Sequence, residues 1–210
     1  LEPREAMFHD LRGDALKNLG RAVEAEQAFS EAIRLNDDYY AYYLDRGLVR
    51  QRLGNIAGAR SDLERSNALL PTAAAHYELG NLAQGSGNPA RAMEHYKLAA
   101  DSDSDVGQRA GAALVRLDLP GNPGNYVQVD AVADSNGNLG LRVANRSPLT
   151  LRKIRVAGVV QKSSFNKDYA LSGNLKPGQS TTIAMGVSLA DLNVGLKQVK
   201  GQVRGAEVAE

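Results

Sequence analysis

Cysteine does not occur in this chain of 210 residues, which excludes disulfides, thiolate nucleophiles and cysteine-ligated metal, and fits either redox compartment. Long apolar runs are missing too: no stretch of the roughly 20 residues that a membrane-spanning helix needs is present. Catalytic signatures are absent, with no HExxH pair, no Gly-rich phosphate loop and no GxSxG nucleophile elbow. The run Asp101-Ser102-Asp103-Ser104-Asp105 has the acid density of a calcium loop but lacks its glycine and closing glutamate. It reads as helix N-terminal chemistry, with Asp103, Ser104 or Asp105 as the cap. Nothing in the chain calls for a metal, nucleotide, lipid or other cofactor, and no residue is assigned a catalytic role. At 43% hydrophobic and 23% charged residues, the expectation is one or two domains, each with its own core.

What the chain does contain is a period. The segments starting at Gly13, Gly47 and Gly80 share one skeleton. Gly20, Gly54 and Gly87 follow at a fixed distance, then Ala25, Ala59 and Ala92, then Phe29, Leu63 and Tyr96, then Ala32, Ser66 and Ala99. Helical hairpins stacked in series write such a pattern. A small residue inside a helix lets its partner approach, and the second glycine of each unit ends the first helix in the left-handed conformation that side chains disfavour. Ala25, Phe29 and Ala32 fall on one helical face, a core stripe. A last helix, 105–118, is expected to cap the stack, because an end repeat would otherwise expose an apolar face.

From 119 to 125 two prolines and two glycines in five residues forbid helix, marking a linker between a helical domain, 1–118, and a second domain, 126–210. The pattern then becomes period two, in segments 126–133, 139–145, 154–161, 180–187 and 199–205, separated by turn signals at Ser135-Asn136-Gly137-Asn138 and Lys176-Pro177-Gly178-Gln179. An antiparallel β-sandwich is predicted. Charge divides at the same place. Residues 1–120 carry 14 Lys and Arg against 18 Asp and Glu, a net of −4, and residues 121–210 carry 11 against 6, a net of +5. The densest basic group is Arg146, Arg152, Lys153 and Arg155. With no interleaved aromatics to suggest nucleic acid, it reads as charge that blocks edge-to-edge strand pairing.

From about residue 1 to 104 the chain resembles tetratricopeptide repeats. Arg12 and Arg46 stand where that family prefers leucine and Arg50 where it prefers tyrosine, departures that bear on how the hairpins pack. Leu1-Glu2-Pro3 has the spacing of Leu69-Leu70-Pro71, where a repeat closes, so the chain is expected to begin inside a longer protein, with any targeting segment upstream. Residues 126–205 resemble small immunoglobulin-like domains of bacterial envelope and secreted proteins, through Val143, Asn145, Ser147, Leu151, Ile154, Val156, Leu175, Pro177, Gly178 and Ser180. The expected fold is thus α + β in two domains, an all-α solenoid of three hairpins and a capping helix followed by an antiparallel immunoglobulin-like sandwich. The second resemblance implies a periplasmic or cell-envelope location.

The first resemblance implies that the first helix of each hairpin lines a concave groove for a protein or peptide. Its outward residues are Asp10, Asp14 and Lys17; Leu44, Leu48 and Gln51; Tyr77, Asn81 and Gln84. The family's clamp for a C-terminal carboxylate is not matched: Asp10 and Asp14 stand where it has Lys and Asn, Asp45 where it has a further Asn, and Ala74 and Glu78 where it has Lys and Arg. An acidic lining with apolar Leu44, Leu48 and Tyr77 points instead to a segment carrying basic and apolar residues. Tyr39, Tyr40 and Tyr42 could serve a partner or the neighbouring hairpin, while Tyr43, equivalent to His9 and His76, is assigned to packing. Three roles follow: a non-enzymatic interaction module of the cell envelope; the C-terminal regulatory region of a larger enzyme such as an HExxH zinc metallopeptidase, with its catalytic domain upstream; or a structural spacer.

Overall fold

The computed structural model describes residues 3–161 and 163–209, so Leu1 and Glu2 of the repeat-closing signal lie outside the described residues. The chain divides into two compact units, 1–111 and 112–210. The first holds three hairpins: α1 (Pro3–Asn18) with α2 (Ala22–Leu35), α3 (Tyr40–Arg52) with α4 (Ile56–Leu69), and α5 (Ala73–Gly85) with α6 (Pro89–Ala100). The glycines act in two ways. Gly20, Gly54 and Gly87 have φ of +76°, +79° and +73° and turn the chain between the helices of each hairpin. Gly13, Gly47 and Gly80 sit under the bulky core residue of their own hairpin, where a Cβ would come within 2.7 Å of Phe29, 3.1 Å of Leu63 and 2.6 Å of Tyr96. Phe29, Leu63 and Tyr96 are fully buried, each stabilising its hairpin by about 2–3 kcal/mol. The second helices start at side-chain caps in two cases: Asn55 accepts from the Gly58 amide and Asn88 from the Arg91 amide.

The helix α7 (Asp105–Asp118) begins as the sequence suggests, with the Ser104 hydroxyl accepting from the Gly107 amide at 3.2 Å. Its later turns do something else. Val115 and the following Leu119 are buried in the apolar cluster of the strands, which is why the division falls between residues 111 and 112 and not in the turn-rich segment 119–125.

Among the described residues the second unit has six strands: β1 (Val127–Ala133), β2 (Asn138–Asn145), β3 (Leu151–Val160), β4 (Asn166–Ala170), β5 (Ser180–Ser188) and β6 (Val199–Val208), with the one-turn helix α8 (Leu189–Leu192) after β5. They form two antiparallel three-stranded sheets, in the orders β1-β2-β5 and β4-β3-β6. Alternation along β2 buries Leu139, Leu141 and Val143, and β3 contributes Leu151, Ile154, Val156 and Val160 to the same cluster, with Met185 and Val199. At Gly201 of β6 a Cβ would lie 2.3 Å from Val129 of β1, so only glycine fits where those two strands meet.

Two turns are fixed by specific bonds. Asn145 is buried and donates to the carbonyls of Leu149 and Leu175, while its Oδ1 accepts from the Ser147 amide and hydroxyl. Gly178 has φ +72° in a turn closed by the Gln179 amide on the Lys176 carbonyl, the geometry of type II. The basic group needs correction. Its residues Arg152, Lys153 and Arg155 lie on β3, the central strand of its sheet, and protect no edge. A bulge there, with Lys153 at φ +48°, lets Arg152 and Lys153 pair with Glu207 of β6.

Candidate functional site

The nine first-helix residues form three rows, with Asp10, Asp14 and Lys17 on α1, Leu44, Leu48 and Gln51 on α3, and Tyr77, Asn81 and Gln84 on α5. The α1 row is a charge cluster. The Lys17 ammonium lies 2.7 Å from Asp14 Oδ1 and donates to Asp45 Oδ1 of α3 at 2.5 Å, tying the first hairpin to the second. Burial lowers the lysine, but its bonds to Asp14 and Asp45 more than offset this and hold it above its ordinary value. Asp10 has no such tie: among the described residues its buried Oδ1 finds no hydrogen-bond partner. Burial first, then the charges of Asp14 and Asp45, push the Asp10 carboxyl up to about 6 against the pull of Lys17. Asp45 is raised as well, by burial that outweighs its bond to Lys17. Three carboxylates thus surround one cation, leaving an excess of negative charge at neutral pH.

The other rows are quieter. Leu44 is half-buried against Ala59, Leu63, Leu79 and Leu82, and Leu48 and Gln51 are also half-buried. Tyr77 packs beside Tyr96, ring centroids 5.8 Å apart, with the Arg109 guanidinium of α7 5.1 Å from its centroid. The Tyr96 hydroxyl, 2.8 Å from both Asn81 Oδ1 and Gln84 Oε1, holds these two amides against α6. The tyrosines at the start of α3 divide. Tyr42 is 4% exposed on Ala6 and Ala32, so it serves the neighbouring hairpin, whereas Tyr39 stays exposed, edge-on to Tyr42. Tyr43 is not core: it is half-buried, with the guanidiniums of Arg46 and Arg65 each 5.8 Å from its ring centroid.

His9 is half-buried and edge-on to Phe8. His76 of α5 meets His95 of α6, their Nδ1 atoms 3.2 Å apart, and burial lowers both imidazoles, with the neighbouring imidazole adding to the effect at His95. No group of three or more metal-ligating side chains occurs among the described residues.

The sequence signals missed one network. Arg46 grips buried Asp62 through two bonds of 2.7 and 2.9 Å and reaches the Ser30 hydroxyl, while Arg50 bonds both Asp62 and Glu26. Two arginines one turn apart at packed helix positions require a buried carboxylate, and that requirement was the available clue. The departures from the repeat pattern thus carry their own compensation and join α2, α3 and α4.

The tetratricopeptide repeat model matches residues 8–39 and 73–106, the first and third hairpins. The middle hairpin, which carries Arg46, Arg50 and Asp62, lies outside the match. No curated protein is significantly similar in sequence. Among solved structures, the first TPR of Spaghetti (RPAP3) bound to the HSP90 peptide SRMEEVD is similar at 16% identity and TM-score 0.52, over 56% of this chain and 94% of that one. PcrH in complex with the chaperone binding region of PopD is similar at 18% identity and TM-score 0.53, over 56% and 93%. The type III secretion translocator chaperone SycD of Yersinia enterocolitica is similar at 15% and 0.51, over 54% and 83%. At such identities the likeness concerns the fold: the helical unit is a tetratricopeptide-type solenoid.

Proposed function

We propose that the helical unit is a non-enzymatic protein-interaction module whose first-helix row receives a peptide or protein segment carrying basic and apolar residues. Solved neighbours of the same fold hold an HSP90 peptide and a region of PopD. The observation that carries the chemical preference is the set Asp10, Asp14 and Asp45 around Lys17, with one buried carboxylate oxygen still lacking a donor. A lysine or arginine of the ligand balances the excess negative charge of the cluster from its accessible side, where Asp14 lies, while half-buried Leu44 and Leu48 offer apolar contact. An acidic tail such as SRMEEVD would meet like charge there and is disfavoured. Fluorescence anisotropy tests this with two labelled peptides, one alternating Lys and Leu, the other Glu and Leu. Stronger binding of the first, weakening as salt rises, is expected; equal binding of both defeats the charge argument.

The cell-envelope location and the immunoglobulin-like character of the second unit rest on the sequence resemblance of residues 126–205. Cell fractionation of the full-length product tests the location.

A further inference from the structure

Strands β3 and β6 carry two bulges back to back. Arg152 pairs with Glu207 and Arg155 with Gly205, which leaves Lys153 and Ile154 of β3 opposite the single residue Ala206. Val156 then pairs with Val203, which leaves Arg204 of β6 without a partner across the ladder. The second bulge cancels the first, so the register is the same on both sides of the pair. Strand pairing alone does not call for two opposed insertions. Each interrupts the ladder, and Lys153 takes a φ of +48°, a left-handed backbone that its side chain disfavours. What the insertions achieve is the placement of cations. Strained backbone of this kind concentrates at ligand sites.

Lys153, Arg155 and Arg204 line one concave pocket of about 690 Å³, together with Glu207 and small or apolar residues that include Leu171 and Gly205. Gly205 leaves the space that Arg155 uses, since a Cβ there would lie 3.0 Å from the guanidinium. Two carboxylates answer part of the charge. Glu207 lies 2.9 Å from Lys153 Nζ and 3.6 Å from Arg152 Nε, and its bond to Lys153, with the charges of Lys153, Arg152 and Arg155 added, holds its carboxyl below the ordinary value. Asp168 lies 3.5 Å from Arg204 Nε, and Arg204 also donates to Asn166 Oδ1 at 3.2 Å. Arg155 makes no hydrogen bond or ion pair among the described residues and is exposed to solvent. Four cations thus face two carboxylates, an excess of two positive charges.

We propose that this pocket binds a compact dianion, inorganic phosphate or a phosphate monoester, with Arg155 as the principal ligand and Lys153 and Arg204 as flanking donors. A phosphate monoester carries close to two negative charges at neutral pH and so matches the excess. The guanidinium of Arg155 presents parallel donors to two of its oxygens. A monocarboxylate would leave half of the excess unbalanced. An extended polyanion would also engage Lys200, an exposed cation further along β6 and outside the pocket.

The test titrates the intact chain at low salt and pH 7.5 with inorganic phosphate, and in parallel with acetate, following the 15N–1H signals of the arginine side chains. Saturable movement of the Arg155 signal by phosphate, at concentrations where acetate moves it little, is expected. Arg155→Gln should weaken phosphate binding by roughly tenfold or more, the loss of a charge-assisted hydrogen bond. Arg155→Lys should keep part of the affinity, and circular dichroism should show both variants folded. Phosphatidylcholine vesicles with and without phosphatidic acid separate the sources. Arg155-dependent capture by the phosphatidic acid vesicles places the phosphate monoester on a lipid, and phosphate binding without capture places it on a soluble ligand. Non-saturating shifts together with no capture would overturn the proposal. So would Lys200→Gln weakening binding as much as Arg155→Gln, because the attraction would then belong to the whole basic face.

Discussion

Asp62 shows how a single side chain can rescue two that the repeat pattern disfavours. Its side chain is 4% exposed, and it neutralises Arg46 and Arg50, whose side chains are 15% and 21% exposed. Removing one partner of a buried pair strands the other charge. Asp62→Ala is therefore expected to cost about 3 kcal/mol in urea unfolding, although Arg50 keeps Glu26. Glu64→Ala, which breaks an exposed pair with Arg91, should cost less than about 1 kcal/mol. Asp10 makes a different prediction, in pH. Its folded-state carboxyl titrates at about 6 against an ordinary 3.8, so between those values the folded chain holds more protons than the unfolded one. The Asp10 contribution to stability consequently falls as pH rises from about 4 to about 6. Asp10→Asn should remove that component and raise the melting temperature most at neutral pH. The histidine pair has the opposite sign: both imidazoles are lowered, so their contribution is present above the ordinary value of 6.5 and is lost as pH falls below it.

At the scale of elements, glycine chemistry made the helical unit readable. Gly54 is required by its left-handed φ of +79°, and Gly54→Ala is expected to cost about 1 kcal/mol. Gly111 inside α7 has ordinary helical backbone, and the nearest contact to an added Cβ is Ala100 at 3.8 Å, so Gly111→Ala should stabilise by up to about 1 kcal/mol. Paired melting curves of the two variants separate these cases. Strands announced themselves wherever alternation was apolar. β4, Asn166–Ala170, did not, because it is an edge strand with only Tyr169 partly buried. The extent of α7 was legible but its allegiance was not: periodicity shows that Val115 lies on an apolar face and says nothing of which core receives that face. Among the candidate site residues the pattern found the rows. Which members stand free depended on partners distant in sequence, such as Tyr96 for Asn81 and Gln84, Arg109 for Tyr77, and Ala6 and Ala32 for Tyr42.

For the whole molecule, the two units differ in what they offer. The strand unit commits its internal polar side chains to turns, as at Asn145, and part of its basic cluster to Glu207. The helical unit leaves negative charge on α1 incompletely balanced, the feature on which the proposed ligand recognition rests. The most direct test is the affinity of the alternating Lys and Leu peptide at pH 5 and pH 7.5, for the native chain and for Asp10→Asn. With a carboxyl titrating at about 6, the native chain should bind several-fold more tightly at pH 7.5, and Asp10→Asn should lose most of that difference while remaining folded. Equal affinity at both pH values, or a pH dependence unchanged in Asp10→Asn, would contradict the assignment of the α1 carboxylates as the recognition surface.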